Sequence, residues 1–163
     1  MIILGIDPSL RSTGYGVISY VAGKPKVITF GEIKNPPART HLQCLVEIHR
    51  RITEIITLTK PDEAAVEGVI YVHSHQIAIT MGAARGASLL ALGQAGLPVY
   101  EYAPRRVKSA TTGRGGAQKQ QVAFMMRALL GLTENPSPDA ADALAIALTH
   151  AQSAAGLKLS KRL

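Results

Sequence analysis

The chain has 163 residues, 47% of them hydrophobic, which suits one domain with a sizeable core. No run approaches the ~18 unbroken apolar residues of a membrane span. The N-terminus lacks the charged-then-apolar layout of a signal peptide. The single cysteine, Cys44, excludes an internal disulfide and reads as a small core residue, so a cytoplasmic protein is expected. The net charge of +7 favours a polyanionic partner, nucleic acid above all. Its distribution sharpens that reading. No acid lies between Glu101 and Glu134, a stretch holding Arg105, Arg106, Lys108, Arg114, Lys119 and Arg127.

Residues 1–7 ("MIILGID") are nearly continuously apolar and predict a buried strand. "GYGVISY" (14–20) and "KVITFGEI" (26–33) predict two more strands, and their short connections make an antiparallel meander. After "NPPART" a helix is expected from about His41 to Thr59, with Leu45, Ile48, Ile52 and Ile55 on its apolar face and Pro61 ending it. "DEAAVEG" (62–68) predicts a short strand, residues 76–94 a long helix, and "GLPVYEY" (96–102) a fifth strand. The basic stretch follows, then helices over about 118–130 and 139–154. The order βββ-α-β-α-β-α-α implies one layered α/β domain. Its five-stranded mixed sheet has three antiparallel strands, then two parallel ones, flanked by helices. The domain is placed at 1–155, and 156–163 is expected to be a basic, flexible tail.

Two acids end predicted strands: Asp7 and Glu67. In open α/β sheets, ligand sites gather beyond the carboxyl ends of strands. Two carboxylates there repel unless a positive charge lies between them. A hard divalent cation such as Mg²⁺ meets that need with oxygen ligands. A second pair, Asp139 and Asp142, is spaced to share one helix face, beside small residues that permit close approach to a sheet. Taken singly, Asp7 could be a turn residue, Glu67 an edge carboxylate and Asp139 a helix cap. Asp142 sits in the apolar row Leu144, Ile146 and Leu148 and is harder to explain that way.

The blocks "ILGIDPSLRSTGYG", "AAVEGV", "MGAARGA", "VKSATTGRGGAQKQQV" and "PDAADALAIALTHA" resemble the RuvC family of Holliday-junction resolvases, in order over residues 2 to about 151. The resemblance implies an RNase H-like fold, a homodimer and Mg²⁺-dependent cleavage of four-way DNA junctions. It implies an acidic metal site of Asp7, Glu67, Asp139 and Asp142, which are also the catalytic residues, with Lys108 and Lys119 facing the DNA backbone. It further implies a partnership with the RuvA–RuvB branch-migration complex. Two positions depart from the family pattern. Ser9 replaces a glycine in the turn after Asp7, and Ile70 stands where an aromatic is common, with Tyr71 its neighbour.

Other features fit the same frame. "TTGRGGAQK" is not a nucleotide P-loop, since no Ser or Thr follows Lys119. Arg114 and Lys119 flank it, and its amides and charges suit a DNA phosphate. Arg105 and Tyr71 complete the expected DNA-binding set. Gly82 and Gly86, four apart on the long helix, suit close packing, either on the protein's own sheet or against a twin subunit. The resemblance favours the dimer contact. His73 and His75 are taken as loop residues near the DNA, and His150 as ending the last helix. The expected reaction is hydrolysis of a phosphodiester by a metal-activated water. Two Mg²⁺ ions ~3.5–4 Å apart would be clamped by the acids, with Mn²⁺ a possible substitute. Each subunit would nick one of two opposing strands during recombination and repair. The alternatives are a non-catalytic junction-binding module, an RNase H-like nuclease with another substrate, and an actin-like ATPase. The last needs a second comparable domain.

Overall fold

The computed structural model describes residues 1–68, 74–155 and 161–163. Strands β1 (Ile2–Asp7), β2 (Ser12–Val21) and β3 (Lys24–Lys34) form the predicted meander. The β2–β3 turn places Ala22 and Gly23 at φ 49° and 79°, the left-handed pair that matches strand twist in tight hairpins. Helix α1 (His41–Thr59) then leads to β4 (Glu63–Glu67), which pairs parallel with β1. Helix α2 (His75–Gln94) leads to β5 (Val99–Tyr102), parallel to β4. Three helices close the domain: α3 (Pro104–Thr112), α4 (Lys119–Leu130) and α5 (Pro138–Ala155). The sheet order is β3-β2-β1-β4-β5-β6.

Three expectations are amended. The sheet gains a sixth, two-residue strand, β6 (Lys161–Arg162), antiparallel to β5. It falls in the segment expected to be a flexible tail, and Leu163 N–H also donates to the Val99 carbonyl. The edge of β5 offers unpaired backbone groups that the tail satisfies. Helix α3 was not expected. Its sequence, PRRVKSATT, buries just Val107 and Thr111, too few for a visible apolar period. The buried row of α1 begins at Cys44 rather than Leu45, because Cys44 is fully enclosed and Leu45 is not.

The alternation of β1 explains the layering. Leu4 and Ile6 face a core shared with Ile48, Ile52 and Leu92 of α1 and α2. Ile3 faces the other core, with Leu144 and Leu148 of α5 and Met126 of α4. Gly5 shares the Ile3 face, and a Cβ there would lie 2.1 Å from the Ala143 carbonyl oxygen of α5. On β2 the same holds for Gly14, whose Cβ would lie 2.0 Å from the Asp139 carbonyl oxygen. These glycines let α5 press its backbone onto the sheet. The helix is therefore enclosed nearly all round, with Ala143 through Ala151 buried.

His150 is corrected by that enclosure. It lies inside α5, which runs on to Ala155, rather than at the helix end, and it is fully buried. Its Nδ1 meets the Tyr102 hydroxyl at 2.8 Å, its Nε2 meets Glu63 Oε2 at 2.6 Å, and its ring stacks on Tyr100. The network satisfies every polar atom of a buried imidazole.

Candidate active site

Asp7 occupies the last position of β1, on the same strand face as Ile3 and Gly5 and so toward α5. The β1–β4 register pairs Ile6 with Val66, so the next residues of the two parallel strands, Asp7 and Glu67, lie side by side. Their carboxyl groups interact closely enough for each to shift the other's pKa. Close seating of α5 on Gly14 brings its first turns to the same point, adding Asp139 and Asp142. All four acids line one open cleft of 760 Å³. The two strand ends and the helix start, far apart in sequence, thus converge.

The electrostatics follow from this crowding. Burial, then the charges of Asp142 and Asp139, push Asp7 up to about 6, against the opposing pull of Lys119. Burial and the neighbouring Asp7 and Asp142 push Glu67 up to about 8. Burial also raises Asp142, although Lys119 opposes it. The Lys119 ammonium sits between the two aspartates of α5, with Nζ 3.2 Å from Asp139 Oδ1 and 3.3 Å from Asp142 Oδ2. Burial disfavours its charge, but Asp142 and Asp139 outweigh that and raise its pKa. Among the described residues no three carboxylate, imidazole or thiolate groups stand closed as a ready coordination sphere. The charges of the crowded acids oppose one another, and Lys119 partly compensates them. The donor set is all oxygen, crowded and short of positive charge, which fits a hard divalent cation.

The turn after Asp7 accommodates Ser9 without strain. Ser9 is not in the left-handed region. Its N–H donates to Thr13 Oγ1 at 3.2 Å, and that hydroxyl donates to the Ser9 carbonyl at 2.6 Å. A side-chain hydrogen bond thus does the work expected of a glycine.

The basic residues divide. Lys108 on α3 and Lys119 at the start of α4 line the cleft with the acids. Arg105 is exposed on α3, and Arg114 is exposed in the loop between α3 and α4; neither lines the cleft. Arg114 instead borders a shallower groove with Thr112, Gln121 and Phe124. Tyr71, Ile70 and His73 lie outside the described residues. His75 is not a loop residue but the first residue of α2. Gly82 and Gly86 are exposed on α2, and a Cβ at either meets nothing within 4 Å, so they do not pack on the protein's own sheet.

One part of the cleft was missed in the sequence. The first turns of α2 also line it, through Gln76, Ile77, Thr80 and Met81. Their spacing is that of one helix face. The mix of Gln, Ile, Thr and Met carries no chemical signature that singles it out.

A mixed sheet with carboxylates at the carboxyl ends of two adjacent parallel strands, completed by acids from a helix pressed on the sheet, defines an RNase H-like nuclease domain. The match to the model for crossover junction endodeoxyribonuclease RuvC spans residues 3–150, and the chain belongs to this RuvC family. It is 50% identical to the crossover junction endodeoxyribonuclease RuvC of Akkermansia muciniphila, over 97% of this chain and 95% of that one. It is 44% identical to the protein of the same name from Chloroflexus aurantiacus, over 95% of each chain. Its structure is similar to that of Thermus thermophilus RuvC in complex with a Holliday junction substrate, with TM-score 0.91, 39% identity and coverage of 100% of this chain and 99% of that one. The yeast mitochondrial Holliday junction resolvase, 12% identical over 96% of this chain and 81% of that one, shares the fold with TM-score 0.65.

Proposed function

We propose that this protein resolves four-way DNA junctions by hydrolysing one phosphodiester in each of two opposing strands. The observation that carries the reading is the convergence of Asp7, Glu67, Asp139 and Asp142 on one open cleft that Lys108 and Lys119 also line. Asp7 is central, since the strand pairing sets Glu67 beside it and the seating of α5 brings Asp142 and Asp139 near. These four would hold divalent cations, Mg²⁺ with two per subunit in our reading and Mn²⁺ as a substitute. The chemistry supplied there is Lewis-acid stabilisation of phosphoryl oxygens and a lowered pKa for the attacking water. Lys108 and Lys119 draw the scissile strand's phosphates into the cleft, and Lys119 can exchange its aspartate contacts for a phosphate as cations neutralise the acids. Arg105 and Arg114, exposed to one side, suit phosphates of a junction arm.

A four-way junction presents two equivalent strands, which a two-fold dimer matches with two active sites. The outer face of α2 suits that contact. Gly82 and Gly86 leave its backbone uncovered, while Ile79 and Leu90 stand 69% and 56% exposed. A groove of 710 Å³ between α1 and α2 continues this face, lined by Val46, Ala83 and Ala87 and bordered by Arg50 and Glu54. An apolar centre with a charged border is the usual anatomy of an interface. The same fold would work beside the RuvA–RuvB branch-migration complex in recombination and repair, in the cytoplasm.

The deciding experiment incubates a synthetic four-way junction, and a linear duplex of the same sequence, with the protein and Mg²⁺. Paired nicks in the junction alone are expected, and Asp7→Asn should remove them while retaining junction binding. Binding without incision by the wild-type protein would leave a non-catalytic junction-binding module.

A further inference from the structure

On the sheet face opposite the acids, α2 carries an arginine that the proposed chemistry does not use. Arg85 is 12% exposed and pairs with Glu101 of β5 through Nη2 and Oε2. Its Nε is fully enclosed and, among the described residues, has no hydrogen-bond partner. A buried guanidinium that leaves a donor unmet is costly and calls for an explanation.

Its surroundings show what the guanidinium is set against. The β4–β5 register sets Val66 opposite Glu101 and Glu67 opposite Tyr102, and Gly68 N–H donates to the Tyr102 carbonyl at 2.8 Å. Gly68 lies directly against the Glu101 side chain, since a Cβ there would be 3.2 Å from Glu101 Cγ. Arg85, Pro8, Glu67, Gly68 and Met81 border a small, partly open pocket of 20 Å³, enough for a single water. One ion pair therefore backs Gly68, the residue that follows Glu67, and Arg85 also borders a pocket with Pro8, the residue that follows Asp7.

We propose that Arg85 is a positioning residue for the metal site, holding the ends of β4 and β1 through Glu101 and Gly68 and through one water in the pocket it shares with Pro8 and Glu67. Arginine rather than lysine fits this role, because its fork can bind Glu101 with one nitrogen and serve the pocket with another. The inference rests on the reading of Asp7 and Glu67 as cation ligands.

Calorimetric titration of the whole protein with Mg²⁺, without DNA, tests it beside thermal melting and the Mg²⁺ concentration for half-maximal junction cleavage. Outer partners that orient metal ligands typically contribute ~10–100-fold in metal affinity. Arg85→Met and Glu101→Gln should each weaken Mg²⁺ binding by about tenfold or more. Arg85→Lys should lose less, and the exchange Arg85→Glu with Glu101→Arg should recover part of the affinity. A role in packing alone would lower the melting temperature and leave the Mg²⁺ midpoint unchanged, which overturns the proposal. If Arg85→Met does not fold, Glu101→Gln and Arg85→Lys decide by the same midpoint. Glu67→Gln is the reference. If it leaves Mg²⁺ affinity unchanged, the ligand assignment fails and this inference with it. If it abolishes binding while the Arg85 and Glu101 variants match wild type, the failure belongs to Arg85 alone.

Discussion

Asp7 and Glu67 have ordinary pKa values of 3.8 and 4.5 in the unfolded chain and about 6 and about 8 in the folded one, burial being the largest cause. Folding therefore retains protons that the unfolded chain has already released. The stability these groups contribute is complete below pH 4 and is lost as pH rises through about 6 and then about 8. The melting temperature in a chelator should fall between pH 5 and 8.5 on this account, and the fall should flatten in Asp7→Asn. A slope identical in wild type and variant would place the strain elsewhere. Cation binding requires the ionised acids, so Mg²⁺ affinity should rise over the same window. Cleavage of a junction at fixed Mg²⁺ should rise with it, until Glu67 is fully ionised.

At the scale of elements, the decisive contact is α5 on the sheet. A side chain at Gly14 would collide with the Asp139 carbonyl oxygen at 2.0 Å, which is backbone and cannot swing aside. Gly14→Ala should force α5 away from β2, with a destabilisation of ~1–3 kcal/mol as in other overpacked cores. It should also separate Asp139 and Asp142 from Asp7. The expected result is a lower melting temperature together with weaker Mg²⁺ binding. Normal Mg²⁺ affinity in a destabilised variant would show that α5 can shift without carrying its acids. Gly82 is the opposite case, because open space surrounds it. Gly82→Leu should leave the subunit folded and disturb just its association.

For the whole molecule, that variant reports on the assembly. A leucine at Gly82 is met twice in a two-fold interface. Sedimentation equilibrium should show wild type as a dimer and Gly82→Leu as largely monomeric, with paired incision replaced by single nicks. A dimeric variant that cuts both strands would move the interface off α2. The charge distribution makes a second prediction at this scale. The net charge of +7 is concentrated toward α3 and α4, with no acid between Glu101 and Glu134. Each phosphate contact removed in Lys108→Ala, Arg114→Ala or Lys119→Ala should flatten the dependence of log K on log salt by about 0.9. Unchanged slopes in all three would take the junction off this face.

Much of this protein could be read without coordinates. Strand β1 was legible because a buried central strand is apolar without interruption, and Asp7 stood out because a carboxylate ends that run. Asp142 stood out because it interrupts an apolar helix. The basic block between Glu101 and Glu134 was equally plain, since charge is a property of composition. What stayed hidden depends on packing between distant segments. Helix α3 buries two side chains and so leaves almost no periodic trace. The enclosure of His150 needed Glu63 and Tyr102, 87 and 48 residues away. Gly14 looks like any strand glycine until α5 lies on it. The sequence by itself determined most of the elements, their charge and the candidate acids, because these are local or additive properties. Tertiary structure alone decided that two strand ends and one helix start meet in a single cleft with two lysines, because that meeting depends on sheet register and on how closely a helix backbone can approach glycine.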